Sequence, residues 1–161
     1  MDLCKIVRRD HDDLDRALLA MVEPTTPADE LAPLLDGFRL GLAIHLVAES
    51  RVLATLVTLV RPPVALRVQI AELRGEHAMQ QRTAERLATL EPCTDDWYNC
   101  ALELRVLVLD HAKRQDYLRG PFEGHVPSTI RRGLVAQYAS ERMRLLATTS
   151  PLALAHATHA A

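Results

Sequence analysis

Leu40-Gly41-Leu42-Ala43-Ile44-His45-Leu46-Val47-Ala48-Glu49-Ser50-Arg51-Val52-Leu53-Ala54-Thr55-Leu56-Val57-Thr58-Leu59-Val60 is the stretch on which the fold turns. It is apolar enough to pose a transmembrane question. His45, Glu49 and Arg51 interrupt its centre, however, and together they would cost several kcal/mol in lipid. The alternative is a helix buried inside a bundle, with polar groups at its middle that find partners there. The sequence on either side decides between the two.

Breaks flank the stretch at regular intervals: Glu23-Pro24-Thr25-Thr26-Pro27, Arg61-Pro62-Pro63, Glu91-Pro92-Cys93-Thr94, and Arg119-Gly120-Pro121 followed by Gly124 and Pro127. Between them run apolar stripes of helical period. A first helix is expected over about 2–21, with Leu3, Val7, Leu14, Leu18 and Met21 on one face. The second is expected to start with Thr26 as N-cap and Pro27 at its first position. Its stripe continues through Leu31, Leu34, Leu35, Phe38, Leu42, Val52, Leu56 and Leu59, with Pro33 bending or delaying its start. A third helix is expected over about 64–90, with Gly75 inside it to let a neighbour approach closely. A fourth follows Thr94 and runs to about Leu118, with Asp95 and Asp96 at its positive end. A short fifth C-terminal helix opens at Ser128 and ends near Thr149. The predicted fold is therefore all-α: an up-down-up-down four-helix bundle plus the fifth helix over residues 1–149. Residues 150–161 are expected to form a flexible C-terminal tail.

Composition agrees with that class. The chain has 161 residues, only 4% of them aromatic, and 6 glycines, which disfavours an all-β sandwich. A chain of this length buries roughly 70% of its unfolded surface and needs no metal merely to fold. A net charge of −2 gives no electrostatic footprint for nucleic acid. Three cysteines (Cys4, Cys93, Cys100) lack zinc spacing, and Cys93 and Cys100 are better read as thiols than as a pair. With Met1-Asp2-Leu3-Cys4-Lys5 leading straight into charged sequence, a reducing cytoplasm is the expected setting, with neither membrane nor nucleic acid as partner.

Histidines carry the functional signal. His11 lies four residues after Val7 and three before Leu14; His45 is seven after Phe38 and three after Leu42. His77 is four after Leu73, and His111 is four after Leu107. Each bundle helix thus carries one histidine within its own apolar stripe. Their distances from the turns place all four in one slab, at about 1.5 Å of rise per residue. Glu49 follows His45 by one turn and shares its face. Asp116, five residues after His111 and about 140° further round, would reach the same centre from the side. Imidazoles and carboxylates without thiolate in register favour iron, manganese or zinc. His125, in an expected loop, and His156 and His159, in the tail, are read as solvent-exposed.

The ordered set resembles the hemerythrin-like (HHE cation-binding) family. The matching pieces are Asp10-His11-Asp12-Asp13-Leu14, His45-x-x-x-Glu49, Glu76-His77 and His111-x-x-x-x-Asp116, with the histidines at intervals of 34, 32 and 34 residues. The resemblance implies two iron ions, oxo- or hydroxo-bridged, with zinc or manganese as alternatives. Glu49 and Asp116 would bridge them, and His11, His45, His77 and His111 would be terminal ligands. Asp10, Glu76 and Asp110, each just before a site histidine, would at most support the ligands. Oxygen-carrying members have a second histidine one turn from the first on helix three; here those positions are Leu73 and Gln81. Gln81, or Gln115 one turn after His111, would be weaker amide ligands. The family implies binding of a small diatomic ligand (O2 or nitric oxide) or peroxide, for oxygen or redox sensing, iron handling or oxidative and nitrosative stress defence. The alternatives are a peroxide-consuming or O2-activating di-iron enzyme, motivated by the gap at Gln81, and a metal-poor scaffold acting through its surface. A signalling role would need a separate protein partner.

Overall fold

In a computed structural model that describes residues 2–149, the chain forms five helices: α1 (Leu3–Val22), α2 (Ala28–Val60), α3 (Val64–Leu87), α4 (Asp95–His125) and α5 (Ser128–Thr149). The C-terminal tail, with His156 and His159, lies outside the described residues. The first four helices pack as a ring, α1 on α2, α2 on α3, α3 on α4 and α4 on α1. α5 lies across α2 and α1. Asp2 caps α1 by accepting from the Cys4 amide, and Thr94 caps α4 by accepting from the Trp97 amide at 3.2 Å.

Four local expectations are corrected. Pro27, not Thr26, is the N-cap of α2; the Thr26 hydroxyl instead donates to the Ala20 carbonyl at 2.6 Å, satisfying one of the acceptors left over at the end of α1. Gly120-Pro121 does not end α4, which continues to His125. Its last turns carry Phe122, and Val126 follows as C-cap; both are buried in the core, and that burial outweighs the break, with Pro121 itself exposed. His125 consequently ends a helix rather than sitting in a loop, exposed, with Nδ1 2.8 Å from the Pro121 carbonyl. Gly75 is exposed and has open space where a Cβ would stand, so no neighbour requires its bareness. The thiols are unpaired: Cys100 is buried, Cys93 exposed and Cys4 half-buried.

The core divides into two apolar clusters. One joins Leu14, Leu18 and Met21 to Phe38, Leu42, Leu87, Trp97 and Leu104. The other joins Leu3 and Val7 to Val52, Leu56, Ile70, Leu73, Phe122 and Leu134. Along α1, α3 and α4 the histidine falls between the residues of one cluster and those of the other. On α2 the boundary falls within the turn from His45 to Glu49, with Leu46 in the first cluster and Ala48 in the second. Among the described residues α2 is the helix long and apolar enough to cross a membrane. Here its apolar positions meet α1, α3 and α5, and Arg51 pairs with Glu141 of α5 at 2.5 Å.

Candidate metal centre

Between the two apolar clusters lies a buried polar layer: Asp10, His11, His45, Glu49, His77, Gln80 and His111. Five of its side chains present donor atoms to one another. Glu49 Oε2 is 3.1 Å from His45 Nε2, 3.1 Å from His77 Nε2 and 3.3 Å from His111 Nε2. His11 Nε2 is 3.0 Å from His45 Nε2. The one-turn step from His45 to Glu49 on α2 brings the carboxylate into the ring of imidazoles supplied by the other helices.

Three of the imidazoles, His45, His77 and His111, are oriented by their far nitrogens. His45 Nδ1 is 2.9 Å from the Tyr138 hydroxyl, which donates its own proton to Asp10 Oδ2 at 2.5 Å. Since the hydroxyl has one proton and the carboxylate takes it, His45 Nδ1–H must be the donor to Tyr138. Arg142 Nη1, 3.0 Å from Asp10 Oδ1, completes this chain toward the surface. His111 Nδ1 donates to Glu76 Oε2 at 2.9 Å, and Arg114 holds the other Glu76 oxygen at 2.6 Å. His77 Nδ1 pairs with Ser50 Oγ at 2.9 Å. With Nδ1 protonated on His45 and His111, Nε2 is the ring atom left to face a cation, an orientation typical of metal-bound histidine.

Electrostatics of the metal-free cluster favour one extra proton. Burial pulls His45 down, but hydrogen bonding and charge from Asp10 and Glu49 outweigh it and hold the imidazole up at about 9. Glu49 is pushed up by burial and down, more strongly, by its bonds to His111, His45 and His77, so it stays ionised. Burial and the neighbouring His45 charge push His11 down, keeping it neutral. The proton on His45 Nε2 therefore points at both Glu49 Oε2 and His11 Nε2. A cation would take its place.

The donor set fits a metal ion. Ligands held about 2.0–2.1 Å from one cation lie about 3.0–3.4 Å apart at adjacent coordination positions, and the contacts above fall in that range. His11, His45, Glu49 and His111 offer donor atoms that all lie within 4.8 Å of one another.

Of the residues expected at the site, His11, His45, Glu49, His77 and His111 are brought together. Asp116 is not: it is exposed and faces Arg8 at 3.6 Å. Five residues along α4 turn it about 140° from His111, whereas four turn Gln115 only about 40°. Gln115 accordingly reaches inward and its amide donates to Glu49 Oε1. Gln81 is exposed and bonds Glu85 at 3.0 Å, while its neighbour Gln80 is the buried one and bonds the Leu107 carbonyl. Asp110 is exposed beside Lys113. Tyr138 and Arg142 were not legible as site residues, because their partners lie on α1 and α2, far away in sequence.

Tyr138→Phe tests the orienting chain. The variant leaves Asp10 and His45 Nδ1 short of a partner, so it should lose about 1–3 kcal/mol of stability. Metal affinity should fall about 10–100-fold, read by competition with a chelating dye. Unchanged affinity would show that His45 is held by packing alone.

Comparison with protein-family models, curated proteins and solved structures finds no match to this chain. The five-helix bundle with its clustered His11, His45, Glu49 and His111 nonetheless matches the hemerythrin-like metal-binding motif.

Proposed function

We propose that the cluster holds non-haem iron and that the protein binds a small neutral ligand there, O2 or nitric oxide, or peroxide. The observation that carries this reading is the convergence of imidazoles and one carboxylate on a buried point, with His45, His77 and His111 braced from behind. A bound iron ion would supply an open coordination position and redox chemistry. Zinc or manganese suits the same donors.

The surroundings support a small ligand over a charged substrate. Beside the cluster is an apolar cavity of about 40 Å³ walled by Leu3, Val7, Leu53, Ile70, Leu73 and Phe122, with Gln115 at its edge. Gln115 also touches Glu49, so the cavity abuts the donor ring. Leu73, at one of the two helix-three positions where the resemblance places another histidine in oxygen carriers, lines this cavity. Side chains of Glu49 and His45 are engaged with their neighbours, which leaves binding rather than acid–base turnover as the reading. Gln81 faces solvent and bonds Glu85, so it supplies no ligand and the helix-three gap stands. The charge balance and thiols favour a cytoplasmic role without nucleic acid or membrane.

The test is metal analysis of aerobically purified protein, then addition of nitric oxide to the anaerobic ferrous form. Bound iron and a new visible absorption with an iron–nitrosyl paramagnetic signal are expected. Bound iron that gives neither signal would reject ligand binding, and absence of bound metal would reject the metal reading.

A further inference from the structure

The bridged pair of ions implied by the resemblance does not fit this chain, and we infer that the centre holds one divalent ion. It is held by His11, His45, His111 and Glu49, with His77 serving as hydrogen-bond donor to Glu49. The inference rests on the metal reading above and specifies it.

Two-ion centres place their metals about 3.5–4 Å apart and spread the donors accordingly. Here one ring nitrogen from each of His11, His45 and His111 and one carboxylate oxygen of Glu49 all lie within 4.8 Å of one another. Opposite ligands of one ion are separated by about twice the bond length, near 4.2 Å, so a spread of 4.8 Å closes onto a single ion with shifts of only a few tenths of an ångström. His77 falls outside that set. Its Nε2 is nonetheless 3.1 Å from Glu49 Oε2.

A second ion beside His77 would find few further ligands. Glu49 Oε1 is taken by the Gln115 amide. Asp116, the expected second bridge, points outward to Arg8. Leu73, one turn before His77, is apolar and buried in the core, and Gln81, one turn after, faces solvent. One imidazole and a shared carboxylate do not make a second site. His77 instead has a complete role: Ser50 Oγ donates to Nδ1 at 2.9 Å, and Nε2–H donates to Glu49. Three neutral nitrogens and one anionic oxygen suit Fe2+, Mn2+ or Zn2+, and leave positions open for a ligand.

The test is anaerobic titration of the metal-free chain with Fe2+, and separately with Zn2+, counting ions by native mass spectrometry and elemental analysis. One ion per chain is expected, and Asp116→Ala should bind the same number. Gln115→Glu supplies the missing carboxylate between Glu49 and the neighbouring imidazoles, and should raise the count to two. Two ions in the parent, or a lower count in Asp116→Ala, would overturn the single-ion inference while leaving the metal reading intact. A count of one in Gln115→Glu would overturn the claim that carboxylate supply sets the number. No bound ion in the parent would overturn the metal reading itself.

Discussion

Glu49→Ala should destabilise the metal-free protein by about 3–5 kcal/mol, the effect of stripping one partner from a buried ion pair. Glu49 is 1% exposed, and its Oε2 contacts three imidazoles. Without it, the charge on His45 keeps only the Tyr138–Asp10 chain, and Gln115 loses its acceptor. The pH dependence has a definite sign. His45 is raised from 6.5 to about 9, so its contribution is full below 6.5 and is lost as pH rises through 9. Glu49 is lowered below 4.5, so its contribution is present above 4.5 and is lost as pH falls. The gap between parent and variant should therefore be widest between about pH 5 and 6.5 and narrow above about pH 9. Urea unfolding in the presence of a chelator, repeated across that range, measures it. A difference under about 1 kcal/mol at pH 6 would show that the polar layer does not hold the helices together.

The polar layer was legible because helical period is a strong local signal. Val7, His11 and Leu14 are spaced as one face of a helix whatever surrounds them, and the same holds for Phe38, Leu42, His45 and Glu49. Similar distances from the turns then put the four histidines at one height, which is where the structure has them. What failed were inferences needing a second helix. The resemblance places Asp116 at the centre, whereas the smaller angular step from His111 favours Gln115, and packing follows the angle. Gly120-Pro121 reads as a stop only while Phe122 and Val126 have nothing to bury against; the core cluster of α1, α2 and α5 supplies it.

Tyr138 shows the other limit. On α5 it sits four residues after Leu134, in an ordinary core register, and nothing local marks its hydroxyl as special. Its partners, His45 and Asp10, are 93 and 128 residues away. Asp10 likewise points about 100° away from His11 along α1, toward the side that α5 covers. Its burial makes sense only once Tyr138 and Arg142 are in place.

Metal uptake should expel a proton and stiffen the fold by an amount comparable to the loss in Glu49→Ala. At a free-ion concentration about 1,000 times the dissociation constant, binding to the folded state alone adds about 4 kcal/mol. For a chain of this size that raises the melting temperature by about 8–16 °C. The proton comes from His45, because its Nε2 both carries the extra proton at neutral pH and faces the other donors. Below about pH 9 every binding event must displace it, so affinity should rise about tenfold per pH unit between pH 7 and 9 and level off above that. Titrations with Zn2+ at a series of pH values, with the released proton followed by an indicator in weak buffer, test both parts. About one proton per ion is expected at pH 7 and markedly less by pH 10. Thermal stabilisation without proton release would place the ion away from His45, since no cation can share Nε2 with the proton that already occupies it.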